Sequence, residues 1–287
     1  MKKSKRKRWI VLISIAAVLL LLIVWFVIPY SPLKSGFKKD VEGLRSENRL
    51  YGSDEIFTLQ DLEGMPGAIQ KYMVNCGYIG KRKMNSLKME YRDVAFSQGR
   101  NGPKLTIDYT QYDYAAEPAR LALIESSMFG IPFQGYDYYQ DGKGGMKGVI
   151  AKLITLFDQT GEDMDRACLA TFLAESMFVP TVLLQGYIEF EEIDDYRVKA
   201  TATAYGRTVS GIFTYNEDYE MVSFSTNDRA VYGTDGTVEY VPWSAVCGNY
   251  KIGADGIKVP TAFKAVWNYP DGDFVYFDGT ISSITYD

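Results

Sequence analysis

No histidine occurs among the 287 residues, and that absence removes more chemistry than any motif present supplies. Ser-His-Asp and Cys-His catalysis, imidazole-ligated zinc and the usual near-neutral proton shuttle all need the missing ring. An enzyme built on this chain has to work with carboxylates, Lys, Tyr or an oxygen-ligated metal. Carboxylates gather at Glu189, Glu191, Glu192, Asp194 and Asp195. Two acids facing one cleft cleave glycosides, and Glu175 with Glu189 or Glu191 are the groups to examine for that. A solvated strand end and turn explains the same run more simply. Asp271 and Asp273 flank Gly272 and carry oxygens of the kind calcium takes, but one Asp-x-Asp lacks the ligand number of a calcium loop.

Two further strings imitate known chemistry. Ser35 and Lys38 have the Ser-x-x-Lys spacing of some acyl-enzyme nucleophiles, yet they fall in polar connecting sequence beside an apolar segment. Gly142, Gly144, Gly145 and Gly148 resemble a phosphate-cradling cluster, but Lys147 stands where a third glycine is required, and hairpin turns are the better reading. Cys76, Cys168 and Cys247 are too few and scattered for a disulfide framework, and no Cys-x-x-Cys spacing points to zinc. Neither a cofactor nor a metal is expected. Aromatics matter more: there are 22 tyrosines, with Tyr136, Tyr138 and Tyr139 nearly adjacent. On a concave sheet they would line a lipid or glycan site; they are also ordinary strand-forming core residues.

Something has to position these groups. Thr160 and Asp163 have capping-box spacing, and Glu162 precedes Arg166 by one turn. Met164, Cys168 and Phe172, with Leu169, Leu173 and Met177, form an apolar stripe that predicts a long amphipathic helix over 160–178, ended by Pro180. A shorter helix has Pro66 at its first position and stops at Gly77. Elsewhere the period is two. Leu87, Met89 and Tyr91 alternate with Lys88, Glu90 and Arg92; Leu105, Ile107 and Tyr109 alternate with Thr106 and Asp108. Further strands are predicted at 120–126, 136–140, 145–157, 196–204, 207–215, 219–225, 257–267 and 274–286, separated by turns such as Asn101-Gly102-Pro103 and Asp141-Gly142. The fold class that follows is α+β: a large curved antiparallel sheet packed on one long helix. Small residues Ala200, Ala202 and Ala204 let that helix approach closely or leave room for a ligand.

Location is legible at the N-terminus. Residues 9–28 are an unbroken apolar run of twenty, about 30 Å as a helix, preceded by Lys2, Lys3, Lys5, Arg6, Lys7 and Arg8. The run is longer than a secretory h-region, and Pro29, Tyr30 and Pro32 occupy the place of a small-residue cleavage site, so an uncleaved anchor is expected. The basic segment 1–8 should stay cytoplasmic, with 29–56 a flexible linker and 57–287 an extracytoplasmic domain. Overall 31 Lys and Arg face 36 Asp and Glu; without the six N-terminal cations the balance is 25 against 36, or −11. Such an acidic domain should be repelled by nucleic acid, which excludes an electrostatic reader of that kind.

Several strings, taken in order, resemble the signature of an uncharacterised bacterial family of membrane-anchored proteins. They are Met65-Pro66 with Lys71-Tyr72-Met73, Gly135-Tyr136-Asp137 with Asp141-Gly142-Lys143-Gly144, Leu173-Ala174-Glu175 followed by Pro180, Arg229, Val259-Pro260 and Ile284-Thr285-Tyr286. The likeness spans roughly residues 62–287. Thr171 departs from it, standing where the family usually carries an arginine. By analogy the resemblance implies a half-barrel like that of lipoprotein-carrier proteins, which wrap a sheet around a helix and shelter acyl chains. The leading expectation is therefore a non-catalytic domain, anchored in the bilayer through 9–28, that binds a lipid or other hydrophobic envelope component near Phe172, Met177, Ala200, Ala202, Ala204 and Tyr136. The alternatives are a scaffold domain for another envelope protein, which needs a filled core, and a carboxylate-dependent cell-wall glycan hydrolase.

Overall fold

The structure, a computed structural model, describes residues 2–52, 54–100, 102–128, 130–233 and 236–287. The side chains of Lys2 and Lys3, and Asn101 of the expected Asn101-Gly102-Pro103 turn, lie outside what is described. The apolar run forms helix α1 (Lys2–Val27), long and apolar enough to cross a membrane, whose large apolar side chains face outward instead of into a core.

The segment after it corrects the expectation of a flexible linker. Residues Pro32–Glu47 form helix α2, with the Ser31 hydroxyl accepting the Lys34 amide at 3.1 Å and Pro32 in the first turn. Leu33, Phe37, Val41 and Leu44 recur at helical spacing and pack with Tyr112, Tyr114, Leu121, Leu123, Tyr136 and Tyr138. The apolar stripe was present in the sequence, diluted by Lys and Glu on the solvent face. Helix α3 (Gly67–Asn75) follows, with Pro66 just before its first turn rather than at the expected first helical position.

The chain then runs through a meander of β1 (Ser86–Ser97), β2 (Lys104–Tyr114), β3 (Ala119–Met128), β4 (Ile131–Gln140), β5 (Lys143–Ile150) and β6 (Ile154–Thr160). The expected single arm over 145–157 is thus two strands, because Ala151 and Lys152 take positive φ and turn the chain between them. Helix α4 (Glu162–Glu175) interrupts the strands. Thr160 remains in β6, so the capping box does not form; Gly161 occupies the cap, and Arg166 pairs with Asp228 rather than Glu162. The return half comprises β7 (Ile188–Asp194), β8 (Arg197–Ala204), β9 (Arg207–Tyr215), β10 (Met221–Thr226), the ribbon of β11 (Ala230–Tyr232) and β12 (Val238–Tyr240), β13 (Trp243–Gly248), the ribbon of β14 (Lys251–Ile252) and β15 (Lys258–Val259), β16 (Ala262–Tyr269) and β17 (Gly272–Tyr286).

Among the described residues, 13 strands form one antiparallel sheet ordered β6-β5-β4-β3-β2-β1-β17-β16-β13-β10-β9-β8-β7. The first and last strands do not pair, so the sheet curls into a half-barrel instead of closing. Helix α4 lies across the concave side, touching β4, β5 and β6 toward one edge and β8, β9 and β10 toward the other. Asp165 joins the two edges: its carboxylate accepts the Gly144 amide at 2.7 Å and the Arg207 guanidinium at 2.6 Å. The glycine cluster serves this junction. Asp141 and Gly142, with φ of 52° and 72°, make the hairpin turn. A Cβ on Gly144 would meet Cys168 and the Met164 carbonyl at 2.8 Å, so glycine is what lets helix and sheet touch there.

Candidate functional site

Strand β3 introduces the site. Its first six residues, Ala119 to Ile124, are all buried, because α2 covers Ala119, Leu121 and Leu123 while Ala122 and Ile124 join the main core. Arg120 is the one charge in that run, and desolvating it without partners would be prohibitive. Three partners surround it. Its Nε donates to Glu175 at 2.6 Å, one terminal nitrogen donates to Asp137 at 2.7 Å, and the other donates to the Tyr109 hydroxyl. Burial alone would lower the Arg120 pKa, but Asp137 and Glu175 hold it well above the usual value, so the guanidinium stays charged. Burial raises the Glu175 carboxyl and Arg120 opposes that rise. Glu175 also ends α4, where the carbonyl ends of the helix disfavour an anion; Arg120 offsets that too.

A second acid lies beside the pair. Asp113 is buried; one oxygen accepts from the Gln111 side chain at 2.6 Å and the other has no partner among the described residues. Burial, then Glu175, push its carboxyl well above the ordinary carboxylate range.

Tyr109, Gln111, Arg120, Asp137 and Glu175, but not Asp113, form part of the wall of a cavity of about 200 Å³ between α4 and the sheet. The helix contributes Met164, Ala167, Cys168, Thr171 and Glu175; the sheet contributes Tyr91, Tyr109, Ile124, Phe133, Phe263 and Phe277. At its outer part stands Arg229, whose guanidinium lies 4.5 Å from the Trp243 ring, 5.1 Å from Trp267 and 5.8 Å from Tyr276. Cation–π attraction stabilises the charge in that cage. One terminal nitrogen donates to the Tyr276 hydroxyl, whereas the buried Nε has no acceptor among the described residues. Thr171 lines the same cavity and turns its hydroxyl back to the Ala167 carbonyl at 2.9 Å.

The six residues singled out from the sequence fall elsewhere. Phe172, Met177, Ala200 and Ala202 are buried in the main core and none of them lines this cavity; Ala204 is half-buried against the same core. Tyr136 lies on the convex face against Phe37, ring centroids 5.7 Å apart, and donates to Asp40. Glu189 and Glu191 are exposed on β7 while Glu175 is buried, so these three acids do not face one cleft. Sequence reasoning missed Arg120, although a lone charge inside an apolar strand is a signal that partners exist. Asp137 and Arg229 were visible only as parts of the resemblance, and Glu175 also as a candidate acid; the fold brings all three to one cavity.

The sequence profile described as "Family of unknown function (DUF6544)" matches residues 55–279. The chain belongs to that family. The matched span begins after α2, so the helix that covers β3 from outside lies before the region this DUF6544 member shares with its relatives. No curated protein matches the chain by sequence. Among solved structures, a domain from Vibrio parahaemolyticus provisionally assigned as an outer membrane lipoprotein-sorting protein is 10% identical, with TM-score 0.41, covering 77% of this chain and 91% of that one. A DUF1329 family protein from Desulfovibrio piger ATCC 29098 is 13% identical, with TM-score 0.40, covering 77% of this DUF6544 chain and 92% of its own. At these scores neither structure lends an activity or ligand to this chain.

Proposed function

We propose that this protein is a non-catalytic binder of an amphipathic envelope component, held at the outer face of the cell membrane by α1. The observation that carries it is the hollow flank of α4. A core intended only for stability or for scaffolding would be filled there. The cavity instead offers aromatic and aliphatic walls for an apolar chain, with the Arg229 Nε free to take a hydrogen bond acceptor. An acidic headgroup beside Arg229 and an acyl chain directed toward Phe263 satisfy both features. The orientation, with the basic N-terminus in the cytoplasm and the domain outside, rests on the positive residues before α1.

A photoactivatable diazirine fatty acid tests this on the full chain reconstituted in phosphatidylcholine nanodiscs. Covalent adducts on Cys168, Phe263 or Phe277 are expected, and Ala265→Trp, which fills the space, should abolish them while the helix content is retained. Adducts confined to residues 9–28 in the unaltered protein would refute cavity binding.

A further inference from the structure

Hairpins β1–β2, β3–β4, β5–β6 and β16–β17 all turn on one rim of the half-barrel, as the end pairs Ser97 with Lys104, Met128 with Ile131, Ile150 with Ile154 and Tyr269 with Gly272 show. The cavity opens on the same rim, where half-buried Phe96, Gln98, Gly99, Tyr269 and Phe274 border it. Here too the anchor ends. The Trp25 indole donates to the Ala151 carbonyl at 2.9 Å, and the buried Lys152 ammonium donates to the carbonyls of Trp25 at 2.9 Å and Ile28 at 2.6 Å. Those carbonyls belong to the last turn of α1 and the residue after it, which have no intrahelical donor, and Lys152 satisfies them. Ala151 and Lys152 hold φ of 53° and 66° without being glycine, a costly backbone state that these contacts over-determine.

Beside this junction the surface is apolar. Leu153, Ile154 and Leu156 are 66%, 60% and 52% exposed, and Ile131 on the neighbouring turn is 36% exposed. They adjoin the end of a membrane span, at the depth where indole rings such as Trp25 settle. Helix α2 then leads away from this rim along the convex face, tied by Lys34 to Glu125 near its start and by Arg45 to Asp287 near its end. We infer that the β3–β4 and β5–β6 turns are a second membrane contact, inserting Ile131, Leu153, Ile154 and Leu156 into the interfacial region of a phospholipid bilayer so that the cavity mouth rests on the membrane. An amphipathic ligand then passes between leaflet and cavity without its apolar part crossing water. The inference rests on α1 being a membrane span, and it gives the proposed binding site its route of supply.

The test uses the full chain in phosphatidylcholine vesicles, part of whose lipid carries a nitroxide on the acyl chain. An environment-sensitive nitrobenzoxadiazole label is placed through Ile154→Cys or Leu156→Cys on the rim, and through Ile252→Cys on the far end as control. Label at either rim position should emit at shorter wavelength and lose severalfold more intensity to the nitroxide than label at the control position. Equal quenching at rim and control overturns the docking. Photolabelling of the cavity is read separately: adducts inside the cavity without rim quenching leave ligand binding standing and remove only the membrane contact.

Discussion

Replacing Arg120 isolates the role of the buried charge cluster. In Arg120→Met the long apolar part of the side chain is kept and the guanidinium lost, so Glu175 and Asp137 lose bonds of 2.6 and 2.7 Å and Tyr109 loses its donor. The Glu175 side chain is 6% exposed and cannot rehydrate, whereas that of Asp137, at 20%, partly can. Stranding one buried charge costs about 3–5 kcal/mol, a large share of the roughly 5–15 kcal/mol that holds a domain folded. The defect should shrink in acid. Without Arg120, burial keeps the folded-state pKa of Glu175 above its unfolded value near 4.3, so the folded state binds the extra proton and stability rises as pH falls through that window. The double variant Arg120→Met/Glu175→Leu removes both charges and should recover most of the loss. Urea unfolding of the full chain, followed by the fluorescence of Trp243 and Trp267 in the cavity wall, measures all three proteins. A single-variant cost below about 1 kcal/mol, or a double variant no better than the single, would show that the cluster does not hold the charges in the way described.

Three other outcomes follow from the geometry. Burial raises the Asp113 carboxyl in the folded state, so its contribution is fully present below the unfolded carboxylate pKa of about 3.9 and is lost as pH rises. Asp113→Asn should therefore match the unaltered protein at pH 4 and gain relative stability above it, by up to about 1.4 kcal/mol per pH unit across the window, as urea midpoints would record; a constant difference at all pH values contradicts this. Phe37→Ala removes the main contact of α2 with the convex face and should cost about 3 kcal/mol locally, seen as faster protease cleavage and amide exchange within 32–47. Gly144→Val forces α4 off β5 and should destabilise by about 1–3 kcal/mol or more in the same urea assay, whereas an unchanged midpoint would mean that Cys168 and the Met164 carbonyl yield freely.

Local features were legible because local rules govern them. The N-terminal apolar helix is a contiguous run, and suitability for transfer into hydrocarbon depends only on its length and composition. Strands declared themselves by alternation in β1, β2 and β8, where one face is polar. β13 went unread because six residues of mixed type between turns carry no clear period, and β7 because its outward carboxylates read as a turn. α2 was overlooked because helices that bury only a narrow stripe look polar overall.

Composition and pattern by themselves determined a helix long and apolar enough to cross a membrane, an α+β chain dominated by antiparallel strands, one strong central helix and the exclusion of imidazole chemistry. Only the tertiary structure decided which flank of that helix is hollow. Every residue from Met164 to Glu175 except Arg166 is buried, so no one-dimensional pattern distinguishes the side of the helix that lines the cavity from the side that does not. That distinction is made by residues far away in the chain: Ala200 and Ala202 let the sheet close on one flank, while Arg120, Asp137, Arg229 and the large rings of Trp243 and Phe263 hold it off on the other. A binding cavity is a volume left between elements, and its size depends on how the sheet curls, which no single segment encodes.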